Sequence, residues 1–171
     1  MWPKAFWEKV YEPIIRNAAG LGKLSKEPDP SIYDKGFLHC DLLVIGAGPS
    51  GLYSALIAAR TGAKVIIVDE DFTLGGSLNG EKLEINGGLC TDWLGTILSE
   101  LTSFKNVRLM PKTTLYGSFD HGIYGALEIR NYNSRDNLKK PRHILWKIYS
   151  KFSVLCTCLL YTSDAADEFS C

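Results

Sequence analysis

The sequence lacks an excess of charge of either sign. Lys plus Arg and Asp plus Glu both number 19, so the formal net charge is zero. A balanced chain offers no electrostatic field that would attract nucleic acid or an anionic membrane surface. We therefore expect neither a nucleic acid nor a membrane as partner.

Segments that direct a chain to or through a membrane are also missing. The uncharged run 42–59 contains "GAGPSG", whose backbone groups would lack hydrogen-bond partners in lipid. The beginning, "MWPKAFWEKVYEP", carries early charges and has no apolar core like that of a secretory signal. The five cysteines show no CxxC spacing. We expect a reduced, cytoplasmic protein without a metal site.

Catalytic groups are equally scarce. His39, His121 and His143 have no partner at a spacing that indicates a catalytic base or a metal ligand. Nothing resembles a nucleophilic triad. We therefore assign no catalytic residue and no metal ligand to this chain.

What the sequence does contain is a strand–helix–strand pattern. "CDLLVIGAG" is a fully apolar strand, of the kind buried on both faces of a parallel sheet. A helix is predicted over Pro49–Arg60, with Pro at its first position and Gly62 beyond its end. "AKVIIVDED" is the second buried strand, and "DWLGTILSELTSF" and "NVRLM" add a helix and a strand. This order indicates a βαβ unit.

The pattern changes after Pro111. "TTLYGSF", "YGALEIRNY" and "HILWKIYSKFSVL" alternate, are rich in aromatic residues and are separated by turn residues, which predicts an antiparallel meander. The fold class is therefore α/β, a Rossmann-like FAD/NAD(P)-binding fold with a parallel sheet and an antiparallel β-meander. We divide the chain into an N-terminal helix (over 5–18) and linker, 1–36, an incomplete dinucleotide-binding domain, 37–155, and a non-native tail, 156–171.

The motif that carries chemistry is GxGxxG, formed by Gly46, Gly48 and Gly51 between the first strand and the helix. The first glycine permits a tight turn, the second lets a pyrophosphate approach the backbone, and the third lets the helix pack on the sheet. Pro49 and Ser50 form the first helical turn, whose N–H groups and partial positive charge attract phosphate. We predict that all five residues bind a dinucleotide.

An acid follows at the end of the second strand. Asp69 comes after the glycines at about the 20-residue spacing at which an acid binds ribose hydroxyls. Glu70 and Asp71 add negative charge, which would repel a 2′-phosphate and so argues against NADP. Gly76, in "LGGSL", either lets the backbone pass near the dinucleotide or belongs to an ordinary turn. We include Asp69, Glu70 and Gly76 among the predicted cofactor-binding residues.

The match to one family is wider than this motif. "MWPKAFWEKVYEPIIRNAAGLGKL", "PDPSIYDKGFLHCDLLVIGAGPSG", "VDEDFTLGGSL", "NVRLMPKTTLYGSFDHGIYGALE" and "PRHILWKIYSKFSVL" resemble the alpha subunit of heterotetrameric sarcosine oxidase. The resemblance implies an enzyme that oxidatively demethylates sarcosine to glycine, with hydrogen peroxide and a one-carbon unit passed to tetrahydrofolate. It also implies NAD in this subunit, FAD and FMN in a partner beta subunit, and additional gamma and delta subunits.

The resemblance ends near residue 155. Family members continue with an Ala-Thr-Gly turn, whereas "CLLYTSDAADE" resembles a translated sequencing-library adapter, and 169–171 follow it. Because relatives also have a region before "MWP", we expect a fragment cut at both ends, with its last apolar strand at an open sheet edge. We expect weak or no nucleotide binding by such a fragment alone.

Two alternatives remain open. GxGxxG followed by an acid does not separate NAD from FAD, so the chain could be the FAD-binding subunit of an oxidoreductase acting on opines or other secondary amines. It could also be a truncated fragment without catalytic activity of its own. A bound dinucleotide would in every case supply the redox chemistry that the side chains lack.

Overall fold

The computed structural model describes residues 7–20, 31–80, 84–85, 88–130 and 140–157. The chain divides into two compact units, 1–30 and 31–171. In the first unit, a π-helical turn over Trp7–Tyr11 leads into helix α1, Glu12–Ala18. None of the residues of α1 is buried within the unit. Within the described ranges, no helix has both the length and the apolar character needed to cross a bilayer.

The second unit is built on one mixed sheet. Its six strands lie in the order β5-β2-β1-β8-β7-β6. Their bounds are β1 Tyr33–Ile45, β2 Val65–Val68, β5 Val107–Met110, β6 Thr113–Phe119, β7 Ile123–Ile129 and β8 His143–Leu155. The helices are α2, Pro49–Arg60, and α3, Cys90–Ser103. Strands β3, Glu84–Ile85, and β4, Gly88–Leu89, pair antiparallel in a separate two-stranded sheet.

Four of these strands are parallel. Strand β1 pairs in parallel with β2 on one side and with β8 on the other, and β2 pairs in parallel with β5. All four residues of β2 are buried, as expected for a strand covered on both faces. Helices α2 and α3 share one apolar core with β1 and β2, to which Leu52, Leu56 and Leu101 contribute.

The sheet has two parts that share its two long strands. On β1, only the end of the strand, Leu42–Ile45, pairs with β2. On β8, the beginning of the strand, His143–Tyr149, pairs antiparallel with β7. Strands β1 and β8, each 13 residues long, run in register through both parts. One part is thus a parallel sheet covered by helices, and the other is a largely antiparallel meander.

The helix predicted over Pro49–Arg60 is confirmed at both ends. The antiparallel meander is confirmed for β6, β7 and β8. The expectation that the last apolar strand lies at an open edge is wrong. Strand β8 lies between β1 and β7, because its length lets it pair with both, and the edges of the sheet are β5 and β6. Strand β1 begins at Tyr33, inside the segment assigned to the linker.

Leucine side chains differ widely in burial on and beside α3, which allows a direct test of the core. Leu101 is 0% exposed, whereas Leu89 is 56% exposed. We expect Leu101→Ala to lower the free energy of unfolding by about 2–5 kcal/mol, because it leaves a cavity among packed apolar groups. The matched change Leu89→Ala should cost less than about 0.5 kcal/mol. Urea unfolding followed by circular dichroism measures both, and equal losses would contradict this packing.

Candidate functional site

A cleft of about 880 Å³ opens where β1, β2 and β8 end. The carboxyl ends of parallel strands meet at one edge of a sheet, and ligands of α/β proteins bind there. The cleft is lined by the glycine loop after β1, the acidic residues after β2, the second glycine turn, the start of β6 and the residues after β8. These are Ile45, Gly46, Gly48, Pro49, Ser50, Val68, Asp69, Glu70, Asp71, Gly76, Ser77, Thr113, Thr114, Leu115, Cys156 and Thr157.

The glycine loop is fixed by backbone contacts that leave no room for side chains. Gly46 has φ +97°, and a Cβ there would lie 2.6 Å from the carbonyl oxygen of Cys156. A Cβ at Gly51 would collide with the carbonyl oxygen of Gly46 and lie 3.3 Å from the Cβ of Cys156. Gly51 does not line the cleft. It lets helix α2 pack closely against the end of β1, which is the role predicted for the third glycine of the motif.

Gly48 is different, because its missing side chain leaves open space. It is the N-cap of α2, and a Cβ there would meet nothing within 4 Å. Since Gly48 lines the cleft, that open space is part of the cleft. No side chain caps the helix, and Pro49 occupies its first turn. The first-turn N–H groups and the partial positive charge are therefore directed at whatever enters, a geometry that fits a pyrophosphate.

Asp69 is bonded to the glycine loop. Its Oδ2 accepts a hydrogen bond from the Ala47 N–H at 2.5 Å, and its Oδ1 accepts one from the Asp71 N–H at 2.9 Å. The sequence predicted that this carboxylate meets ribose hydroxyls, and the structure adds that it ties the end of β2 to the loop after β1. Each carboxylate oxygen has more than one acceptor site, so a hydroxyl can still donate to Asp69. Glu70 is exposed beside it.

The second glycine turn packs against the first. The Gly75 N–H donates to the Ala47 carbonyl oxygen at 2.9 Å. A Cβ at Gly76 would lie 3.3 Å from the Gly48 Cα, so Gly76 forms a wall of the cleft. The sequence left open whether Gly76 lies near a dinucleotide or in an ordinary turn. Its position in the wall of the cleft favours the first interpretation.

Two groups of lining residues were missed by the sequence analysis. Thr113–Leu115 open strand β6, and Cys156 and Thr157 follow β8. The Cys156 N–H donates to the Ile45 carbonyl oxygen at 2.7 Å. Cys156 and Thr157 had been assigned from the sequence to the tail 156–171. Recognising β8 as a parallel neighbour of β1 would have placed these two residues beside the glycine loop. Residues 158–171, including the adapter-like stretch, lie outside the described residues.

The histidines lie elsewhere. His39 stacks on Tyr149 with ring centroids 4.8 Å apart, and His143 stacks on Tyr33 at 5.8 Å. None of the three histidines lines the cleft. Among the described residues, no group of three or more His, Cys, Asp or Glu side chains is placed to hold a metal ion.

Replacing Asp69 tests its role in holding the loop. We expect Asp69→Asn to lower the free energy of unfolding by about 1–3 kcal/mol, because the new NH₂ group cannot accept from a backbone N–H. The control Glu70→Gln, at an exposed neighbouring carboxylate, should change it by less than about 0.5 kcal/mol. Chemical denaturation gives both values. An Asp69→Asn variant as stable as the control would show that these two hydrogen bonds do not hold the loop.

Comparison with known proteins supports this reading of the fold. Residues 41–111 match the family described as FAD dependent oxidoreductase. The L-proline dehydrogenase of P. horikoshii superposes with a TM-score of 0.57 over 79% of this chain and 24% of its own, at 22% identity. A likeness at that identity shows the fold alone. It confirms the predicted Rossmann-like architecture.

Sequence relatives are more specific. Sarcosine oxidase subunit alpha of Rhizobium meliloti strain 1021 is 46% identical over 92% of this chain and 16% of the relative. The Corynebacterium sp. strain U-96 protein with the same name is 35% identical over 81% of this chain and 15% of its own length. The chain thus spans about a sixth of the length of these curated relatives. It is a homologue of the sarcosine oxidase alpha subunits, with the dinucleotide-binding fold of the FAD dependent oxidoreductases.

Proposed function

We propose that this chain forms the NAD-binding part of the alpha subunit of a sarcosine oxidase. The parent enzyme oxidatively demethylates sarcosine to glycine, with hydrogen peroxide and a one-carbon unit passed to tetrahydrofolate. The observation that carries the proposal is the glycine-walled cleft, in a chain 46% identical to such a subunit over 92% of its length. Residues 33–157, from the beginning of β1 to the cleft residues after β8, constitute the dinucleotide-binding domain.

Different residues of the cleft bind different parts of the dinucleotide. The backbone of Gly48 and Ser50 at the start of α2 holds the pyrophosphate, because it lines the cleft, offers N–H donors and has no Cβ at Gly48. Asp69 and Glu70 bind the adenosine ribose. Three consecutive acids, 69–71, disfavour a 2′-phosphate by charge repulsion, which favours NAD over NADP. A nicotinamide dinucleotide, when bound, supplies hydride exchange.

The subunit works within an assembly. Its relatives are named as subunits, and we infer beta, gamma and delta subunits, with FAD and FMN in the beta subunit, in a cytoplasmic complex. Sarcosine oxidation then occurs at the flavins of the partner. This division agrees with the absence of histidine from the described lining of the cleft.

FAD in this same cleft is the second candidate. The match of residues 41–111 to FAD dependent oxidoreductases favours it, and the chain would then be the FAD-binding subunit of an enzyme acting on an opine or another secondary amine. Heat or acid release from the complete subunit distinguishes the two. A colourless extract that is active in enzymatic NAD cycling supports NAD, and a yellow, fluorescent extract supports FAD. An extract with neither nucleotide would overturn both assignments.

The position of Gly48 provides a sharper test. We expect Gly48→Val in the complete subunit to weaken dinucleotide binding by at least about tenfold, a loss of about 1.4 kcal/mol, because the side chain fills the space left for pyrophosphate. The matched control is Gly95→Val, at an exposed position of α3 where a Cβ also meets nothing within 4 Å. Nucleotide content per subunit is the readout. Unchanged nucleotide content in the Gly48→Val variant would show that the glycine loop is not part of the binding site.

A further inference from the structure

The meander part of the sheet has one face that the other described residues of the second unit leave uncovered. On β1, β7 and β8, side chains alternate between a buried set, which includes Cys40, Ala126 and Ile148, and an outward set. Phe37 and Lys147 are paired in the outward set, and Lys147 is also paired with Gly125. On β6, Phe119 is paired with Ile123 and the Tyr116 ring lies above Gly125, so both belong to the same face. We call this face the lysine face; it consists of Lys35, Phe37, His39, Tyr116, Phe119, Ile123, Leu127, Leu145, Lys147 and Tyr149.

Large apolar side chains on this face are open to solvent. Phe37 is 67% exposed, Phe119 57% and Tyr116 55%. Single exposed apolar residues are ordinary, but a contiguous group of this kind marks an interaction surface. Phe37 belongs to β1 and the other two to β6, and the outward side chains of β8 and β7 lie between them in the sheet, so the exposed side chains form one surface.

The face contains a formed groove of about 470 Å³. Its wall on the β6 side is made by two aromatic rings that lie against glycines. The Tyr116 ring occupies the space above Gly125, and a Cβ at Gly117 would lie 3.0 Å from the Phe119 ring. Phe37 lines the other side. A concave groove is filled by an inserted side chain, whereas the flat surface of a bilayer would leave it empty.

The charge of the groove is of one sign. Lys35 and Lys147 line it, and no acidic residue does so among the described lining residues. Farther along the same strands, Asp41 is paired with Lys151 at 2.7 Å, so that carboxylate does not neutralise the groove. A second copy of the same face would set lysines against lysines, and like charges brought together in an interface are unfavourable. The complementary partner is acidic.

We propose that the lysine face docks a partner polypeptide that inserts an apolar side chain into the groove and places carboxylates against Lys35 and Lys147. This inference rests on the proposed function, in which the chain is one subunit of an assembly. The apolar insertion provides the buried centre of the interface and the two lysines its polar rim. The rim charges select an acidic partner and speed its approach.

The first test is made on the complete subunit in its assembled, native state. Limited acetylation should modify Lys35 and Lys147 at least about fivefold more slowly than the exposed Lys105, because partner carboxylates cover the two amines. Carbodiimide cross-linking with mass spectrometry should join Lys35 or Lys147 to an Asp or Glu of another chain. Acetylation as fast as at Lys105, or cross-links only to carboxylates of the same chain, would overturn the proposal.

The second test uses variants, with dissociation of the assembly as the readout. Lys147→Glu and Phe37→Ser should each weaken association by at least about tenfold, the first more strongly at low salt, and Lys105→Glu should not. Association unchanged in both variants would overturn the proposal. The proposal would also be overturned if the subunit bound phosphatidylserine vesicles and Lys147→Glu abolished that binding while the assembly stayed intact. The face would then bind a membrane and not a polypeptide.

The same samples separate this inference from the proposed function. Dinucleotide content should be equal in wild type and Lys147→Glu, because the lysine face and the cleft have no lining residue in common. Wild type that assembles through the lysine face without bound dinucleotide would refute the proposed function and leave the docking intact. If the wild type contains dinucleotide and the Lys147→Glu and Phe37→Ser variants assemble as well as it does, the docking inference is refuted and the proposed function stands.

Discussion

Three stretches of backbone meet at the carboxyl end of strand β1, and the space between them admits no side chain. The turn at Gly46 lies against the carbonyl of Cys156, while Gly51 lets the first turn of α2 approach the carbonyl of Gly46. If either glycine carried a Cβ, the helix or the end of β8 would have to move. The open space at Gly48 exists because these neighbours are held so closely, and the rest of the cleft is arranged around it.

The same atoms serve the fold and the candidate site. Asp69 accepts from the Ala47 N–H, and the Ala47 carbonyl in turn accepts from the Gly75 N–H. One short loop is thereby bonded to the end of β2 and to the second glycine turn. Because the loop is held from both sides, a ligand meets donors that are already positioned and loses less conformational entropy in ordering them.

The long strands β1 and β8 extend this order to a second region. Their carboxyl ends form walls of the cleft, while their beginnings carry the outward side chains of the lysine face. Two surfaces of different chemistry thus lie on one continuous pair of strands. The cleft is acidic at one end and shaped by glycines. The other is aromatic and basic.

What the sequence determined by itself was local. The bounds of helix Pro49–Arg60, the turn glycines, the buried strands and the acid after β2 are all readable from residues close together in the chain, because backbone freedom and apolar periodicity are short-range properties. Resemblance to sarcosine oxidase alpha subunits was readable as well, and the comparisons confirm it.

Tertiary structure alone decided what distant segments do to one another. The position of β8 between β1 and β7, the contact of Cys156 with the glycine loop and the hydrogen bonds of Asp69 all join residues far apart in sequence. Strand alternation in β8 is compatible with either neighbour, because pairing direction and order depend on backbone hydrogen bonds that side-chain pattern does not encode. The open groove beside Lys147 arises in the same way, from four strands brought together by the fold.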